Sequence, residues 1–136
     1  MRSLLLAVLM SIPLMGMASP KAQPTMRTAS QEKVKEILQA PAKFGMFAQN
    51  EYTVSGLNLI ITCGTVNATN LAYGYTGDNF YFNTYFKTDG RPKYISTEFF
   101  SIDDLAIQIR TVGQMPEDDP RRELTTGFEA CMYKMK

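Results

Sequence analysis

The chain contains no histidine and no tryptophan, and only two of its 136 residues are cysteine. Without histidine, the Ser-His-Asp and Cys-His catalytic arrangements are excluded, and so are most catalytic zinc sites. The sequence therefore predicts no metal and no cofactor, and it argues against enzyme chemistry that depends on an activated nucleophile.

An excess of either charge is also lacking, since the formal net charge is +1. Arg2 is the only charged residue among the first 18, so the rest of the chain carries 13 basic and 13 acidic side chains. A balanced chain without a basic cluster lacks the surface that phosphate backbones and anionic membranes attract. We expect neither nucleic acid nor a membrane surface as a partner.

The one long apolar run lies at the start of the chain, over residues 4–14. Small residues, Gly16 and Ala18, follow it at the positions that signal peptidases require, which predicts a secretory signal peptide over residues 1–18. The run is shorter than the roughly 20 residues that span a bilayer. We therefore expect a periplasmic or secreted protein that is not inserted in a membrane after cleavage.

The rest of the chain is long enough for one domain with a modest core. We predict a flexible leader over residues 19–27, which contain two prolines, and a single domain over residues 28–136. Cys63 and Cys131 are expected to form a disulfide, because exported proteins meet an oxidising compartment and no histidine is present to activate a free thiol.

Three helices are predicted from capping residues and from apolar side chains at helical spacing. The first covers residues 29–39 with Thr28 and Gln31 as a capping box, the second begins after Ser101 and ends at Gly113, and the third begins at Pro120 after Asp119. The third helix places Cys131 on its buried face, within reach of the strand that carries Cys63.

The best candidate for a central strand is residues 52–66, which are rich in β-branched side chains and place Leu57, Leu59, Ile61 and Cys63 on one face. A short returning strand is predicted over residues 71–76. Between and around these segments lie residues that favour sharp turns, and the predicted turn residues are Gly64, Asn67, Asn70, Gly74 and Gly77.

The strongest local signal is a hairpin formed by residues 79–88 and 91–100 around Asp89-Gly90, a dipeptide suited to a type I′ turn. Pairing Thr88 with Arg91 places Phe80, Phe82 and Phe86 on one face of the hairpin. The other face, here called the tyrosine face, presents Tyr81, Asn83, Tyr85, Tyr94 and Glu98, and Tyr73 and Tyr75 are expected to extend it.

The order of these elements predicts an α+β fold with one disulfide. Its antiparallel sheet has three to five strands, and the N-terminal helix and two C-terminal helices pack on one face, the apolar one.

The stretch Cys63-Gly64-Thr65-Val66-Asn67-Ala68-Thr69-Asn70, followed by Gly74-Tyr75-Thr76-Gly77, resembles a CGxVNAxN…GYTG signature of small, uncharacterised exported bacterial proteins. Those proteins also carry a preceding short helix and a second cysteine in a C-terminal helix. This chain has Thr65 and Thr69 where glutamate and lysine are common. The resemblance implies a bacterial periplasmic or secreted protein and supplies no reaction.

Other motifs are better explained by structure than by catalysis. Ser30 and Lys33 match S-x-x-K, but the companion motifs of penicillin-binding enzymes are missing and the chain is too small for that fold. Glu98, Asp103 and Asp104 are interpreted as solvated or helix-capping carboxylates rather than a glycosidase pair.

These observations favour a non-enzymatic binding protein that engages a protein partner through the tyrosine face, as an inhibitor, an immunity-like factor or an envelope-assembly factor. The alternatives are a glycan- or peptidoglycan-binding module and, third, a hydrolase that uses carboxylates alone. A competing hypothesis for the tyrosines is that helices cover them and make them part of the core.

Overall fold

The computed structural model describes residues 25–74 and 76–136, so the predicted signal peptide, most of the predicted leader and Tyr75 lie outside the described residues. The elements in chain order are α1 (Met26–Leu38), β1 (Lys43–Val54), β2 (Leu57–Asn67), a 3₁₀ turn (Leu71–Tyr73), β3 (Asp78–Phe86), β4 (Lys93–Phe100), α2 (Ile102–Val112) and α3 (Pro120–Met132). The four strands form one antiparallel sheet in the order β1-β2-β3-β4. The predicted fold class is confirmed.

Helix α1 begins earlier than predicted, within the segment assigned to the leader. The side chain of Thr25 accepts a hydrogen bond from the Thr28 backbone N–H at 3.1 Å, so Thr25 and not Thr28 is the N-cap. At the other end, Asn70 Nδ2 donates to the Leu38 carbonyl at 2.8 Å. Asn70 therefore satisfies one of the carbonyl groups that every helix leaves unpaired at its C-terminus.

The helices cover both faces of the sheet, which differs from the predicted packing on one face. Helices α2 and α3 pack on the face of Cys63 and Phe82, whereas α1 packs on the opposite face, against Val66 and Tyr81. The reason lies in β2, where six consecutive residues, 59–64, are buried. A strand that is buried on both sides requires a covering layer on each, and the sequence between residues 59 and 64 does not alternate enough to reveal a solvated face.

Strand β1 differs from the prediction, which places only its last three residues, 52–54, in a strand. The strand ends at a two-residue turn, Ser55-Gly56, in which the φ angles are 51° and 81°. Positive φ at both positions is typical of the tight turn that joins two antiparallel strands. The predicted central strand, residues 52–66, therefore spans the end of β1, this turn and most of β2.

The β3–β4 connection differs from the predicted type I′ turn at Asp89-Gly90. The strands are joined by a six-residue loop, 87–92, and the φ of Gly90 is not in the left-handed region. Thr88 organises this loop, since its hydroxyl accepts from the Gly90 N–H at 3.2 Å and donates to the Arg91 carbonyl at 2.9 Å. These two side-chain hydrogen bonds replace the predicted backbone pairing of Thr88 with Arg91.

The register of β3 and β4 is correct near the loop and wrong beyond it. Tyr85 lies opposite Tyr94 as predicted, but Phe82 lies opposite Glu98 instead of Thr97. The cause is a β-bulge, since Ile95 is an extra residue between the pairs Tyr85–Tyr94 and Thr84–Ser96. A bulge shifts the pairing by one residue and exchanges the faces of all later side chains.

The segment after β2 turns without forming the predicted strand over residues 71–76. It contains the 3₁₀ turn and then Gly74 and Gly77, both with positive φ, and the Ala68 N–H donates to the Gly77 carbonyl at 3.0 Å. Asn67 Nδ2 donates to Asp78 Oδ1 at the start of β3. Gly64 and Asn67 are the exceptions among the predicted turn residues, because Gly64 lies inside β2 and Asn67 is the last residue of that strand.

The predicted disulfide joins β2 to α3. The Cα atoms of Cys63 and Cys131 are 6.2 Å apart, and both residues are fully buried. Beside them Phe82 of β3 and Phe128 of α3 stack with ring centroids 4.5 Å apart. The bond therefore lies in the centre of the core that α3 forms with the sheet.

Candidate binding site

A buried polar cluster lies where α1 crosses the sheet. The hydroxyls of Ser30 and Thr62 are 2.6 Å apart, and Asn83 Nδ2 donates to the Ser30 carbonyl at 3.1 Å. Ser30, Thr62 and Asn83 have no exposed surface. Asn83, predicted on a binding face, instead supplies hydrogen bonds inside the protein, and Ser30 is inaccessible to a substrate.

Tyr81 is part of the core and not of a binding surface. Its side chain is fully buried and packs edge-on against Phe44, with ring centroids 6.0 Å apart. Its ring lies over Gly64, where an added Cβ would lie 2.5 Å from the Tyr81 hydroxyl oxygen. Burial raises the pKa of Tyr81 to about 12, so its hydroxyl is neutral at physiological pH.

Tyr85 and Tyr94 form an edge-to-face pair next to α1, with ring centroids 5.9 Å apart. Tyr85 is 6% exposed and Tyr94 is 37% exposed. Lys33 of α1 places its Nζ 4.5 Å from the centroid of the Tyr94 ring. Burial also raises the pKa of Tyr85. Only Tyr94 among these three tyrosines presents substantial surface, so the predicted open tyrosine face is wrong.

The two remaining tyrosines of the predicted tyrosine face are Tyr73 and Tyr75. Tyr75 lies outside the described residues, and Tyr73 is the last residue of the 3₁₀ turn. Their predicted contribution to a binding face stays a prediction.

Glu98 lies on the opposite face of the sheet from Tyr81, because the bulge at Ile95 reverses its direction. It pairs with Phe82 and is half-buried. Within the described chain, its carboxylate has no hydrogen bond and no ion pair. Burial raises the pKa of the Glu98 carboxyl above its usual value.

We expect Glu98→Gln to stabilise the monomeric protein at neutral pH. Because the folded-state pKa of Glu98 is raised, its contribution to stability is present below the unfolded-state pKa and is lost as the pH rises through the folded-state pKa. The variant should therefore have a higher Tm than wild type at pH 7, and the two should converge below about pH 4.3, the usual glutamate pKa.

The measurement is a series of thermal melts between these pH values at low micromolar protein concentration. Glu117→Gln is the matched control, since Glu117 is exposed and in a loop. An equal response of both variants, or a lower Tm for Glu98→Gln at pH 7, would contradict the burial argument.

A groove of about 720 Å³ lies beside the tyrosine pair, bounded by α1, the sheet and the β3–β4 loop. Its apolar surface comes from Met26, Ala29, Ile60 and Pro92. Met26, Ala29 and Lys33 line it at helical spacing, three and four residues apart, so one flank of α1 forms one wall. Two smaller pockets, of about 300 and 190 Å³, lie elsewhere on the described surface.

Polar side chains also line this groove. They are Lys33 and Gln49, the Tyr85 side chain, and Asp89 and Arg91 of the loop. Lys33 Nζ also donates a hydrogen bond to Glu36 Oε1 at 3.0 Å. The groove thus combines an apolar interior with charges of both signs, a composition common in binding sites.

The described residues contain no group of three or more His, Cys, Asp or Glu side chains arranged to hold a metal ion. Within residues 25–74 and 76–136, no helix has the length and hydropathy to cross a membrane. No family model, curated protein or solved structure matches the chain. The groove and the exposed surfaces are therefore the features from which we infer a function.

The sequence contains one signal for the groove, because residues 26, 29 and 33 have the spacing of one helix face. The predicted leader includes Met26 and the predicted helix begins only at Ala29, so this signal is divided between two segments. The predicted apolar face of β2 contains Leu59 and Ile61, so Ile60 falls on the other face and its place in the groove is not predicted. The loop wall, residues 89–92, contains the predicted turn at Asp89-Gly90, but a turn signal does not predict that the loop borders a groove.

Proposed function

We propose that this protein is an exported, non-enzymatic binding protein that holds an apolar side chain of a protein partner in the groove beside α1. The observation that carries the proposal is the groove itself, with its volume of about 720 Å³ and its interior of Met26, Ala29, Ile60 and Pro92. Pockets of this size and lining are where side chains that anchor protein complexes insert.

The composition of the groove favours a protein over a glycan. Sugar binding by stacking requires an accessible aromatic face, but Tyr85 is 6% exposed and Lys33 lies over the ring of Tyr94. Among the described lining residues, Asp89 is the only carboxylate, so the groove lacks the carboxylate pair that glycoside hydrolysis needs. Recognition of an apolar side chain flanked by polar groups explains the lining better.

An exported setting agrees with the predicted signal peptide and with a disulfide in the core. In that setting, a small protein that binds another protein without catalysis acts as an inhibitor, an immunity-like factor or an assembly factor of the cell envelope. All three roles use the same groove and predict the same partner contact.

We expect Ala29→Trp to abolish partner binding by filling the groove. Ala29 is half-buried on the groove wall, and an indole there occupies the space that the partner's side chain needs. The matched control is Ala106→Trp, an exposed alanine on α2, away from the groove. The measurement is capture of envelope proteins by the immobilised mature chain, followed by titration of the captured protein.

The proposal requires one stoichiometric protein whose affinity falls by at least about tenfold for Ala29→Trp and is unchanged for Ala106→Trp. Equal capture by both variants would place the partner elsewhere. Retention of the wild-type protein on purified cell wall, competed by soluble glycan, would support the glycan-binding alternative instead.

A further inference from the structure

Strand β4 forms an open edge of the sheet. It is the last strand in the order β1-β2-β3-β4, and the outer backbone groups of residues 93–98 have no backbone partner among the described residues. The other edge is different, because Phe47 of β1 exchanges two backbone hydrogen bonds with Lys136, at 3.2 and 3.4 Å. Unpaired N–H and C=O groups in a row form a template for a further strand.

The charges along β4 are arranged in a self-complementary way. Lys93 lies opposite Phe86 and Glu98 lies opposite Phe82, so both side chains are on the same face of the sheet. In a regular strand, residues five apart point to opposite faces. The bulge at Ile95 brings the basic start and the acidic end of β4 onto one face.

Antiparallel pairing of β4 with β4 of a second copy matches these charges. A two-fold axis perpendicular to the sheet keeps each face on its own side and sets the start of one strand beside the end of the other. In the register that places Lys93 opposite Glu98 of the other copy, Tyr94 lies opposite Thr97. The symmetry produces the lysine–glutamate pair twice.

The half-buried carboxylate of Glu98 gives an independent reason for this register. Within the described chain it has no hydrogen bond and no ion pair, although burial disfavours its charge. Lys93 is exposed, and no ion pair within the described residues includes it. Each copy therefore offers the group that the other lacks.

Apolar side chains surround the edge and add surface to be buried. Tyr94 is 37% exposed, Ile95 40% and Ile102, which follows the end of β4, 69%. A lysine on an edge strand discourages indiscriminate pairing, because only a strand with an acidic residue at the matching position accepts it. This restriction favours a second copy over an arbitrary extended peptide.

From these observations we propose that two copies of the protein associate through antiparallel β4–β4 pairing, with Lys93 of each copy paired to Glu98 of the other, and form a continuous eight-stranded sheet. The proposal rests on the edge and the charges of β4, so it does not depend on the function assigned to the groove.

The experiment is sedimentation velocity of the mature protein and of two charge-reversal variants, Lys93→Glu and Glu98→Lys. Wild type is expected to dimerise. Each single variant places like charges opposite one another twice, which should weaken dimerisation by at least about tenfold. An equimolar mixture of the two variants restores two opposite-charge pairs and should form a heterodimer.

The mixture distinguishes pairing from misfolding, because two misfolded variants do not rescue one another. Circular dichroism of each variant establishes whether the fold is retained. If Glu98→Lys unfolds, the loss of dimerisation in Lys93→Glu alone still tests the interface. A wild-type protein that stays monomeric when its concentration is raised 100-fold above the low micromolar range would overturn the proposal. A dimer that Lys93→Glu leaves unchanged would also overturn it, because the interface would then lie elsewhere. The same holds if β4 binds a strand of another protein instead of a second copy.

Discussion

Replacing Cys63 and Cys131 together with alanine is expected to lower the free energy of unfolding by about 4 kcal/mol. The two cysteines are 68 residues apart in sequence, so the bond restricts a long loop of the unfolded chain. Domains of this size are stable by only about 5–15 kcal/mol in total. The disulfide therefore supplies a large part of the stability, and the double variant should unfold at a much lower urea concentration.

Chemical denaturation of the oxidised wild type, the reduced wild type and the double variant measures this effect. The reduced wild type is the matched control, because it retains both sulfur atoms in the core but lacks the bond. We expect the reduced protein and the double variant to unfold at similar urea concentrations. A loss below about 1 kcal/mol in both would mean that the bond restricts the unfolded chain far less than its loop length predicts.

The second large effect is expected for Tyr81→Ala, which should lower the free energy of unfolding by about 3–5 kcal/mol, as for other large aromatic residues in cores. Tyr81 has no exposed surface and fills the space between β3, Gly64 and α1, in contact with Phe44. Its removal leaves a cavity next to Gly64, which has no side chain to fill it. Thermal melts and urea titrations measure the loss.

Two control variants separate burial from other effects. Tyr81→Phe keeps the ring and should retain most of the stability, whereas Tyr133→Ala removes a tyrosine that is 80% exposed and should change little. If Tyr81 were a surface residue that only bound a partner, Tyr81→Ala would melt at the wild-type temperature. That result would contradict the position of Tyr81 beneath α1.

The helices were the most predictable elements because their signals are local. The Ser101 side chain accepts from the Asp104 N–H at 3.1 Å and the Asp119 carboxylate accepts from the Arg121 N–H at 2.9 Å, as a cap within three residues should. Cys131 could be placed on the inner face of α3 from helical spacing alone. Such signals depend only on neighbours in the chain, which the sequence displays directly.

The strands were less predictable because their register depends on single residues. The turn at Ser55-Gly56 has positive φ at both residues, although serine seldom adopts that conformation. The sequence therefore predicts a tight turn at Asp89-Gly90 and not at Ser55-Gly56. One extra residue, Ile95, then moved Glu98 to the other face of the sheet. Nothing near Ile95 in the sequence marks a bulge.

The candidate site was misplaced for a different reason. Alternation along β3 predicted which residues share a face with Tyr81, and that grouping of Tyr81, Asn83 and Tyr85 is correct. It does not predict what covers the face. The cover is α1, which binds the face through Ser30, a residue whose sequence context offers no sign of long-range pairing with Thr62. Contacts between distant segments require the assembled fold.

The simple strand order has a consequence for the sequence of folding events. Each strand pairs with the next one along the chain, so the sheet closes through connections of 2, 10 and 6 residues. Contacts between near neighbours in sequence form fast, because little chain entropy is lost in closing them. Helix α3 returns to β2 from 68 residues away, so the disulfide that it carries closes a much longer loop. We therefore expect the strands to pair before the cysteines are oxidised, so that oxidation locks a meander that has already formed.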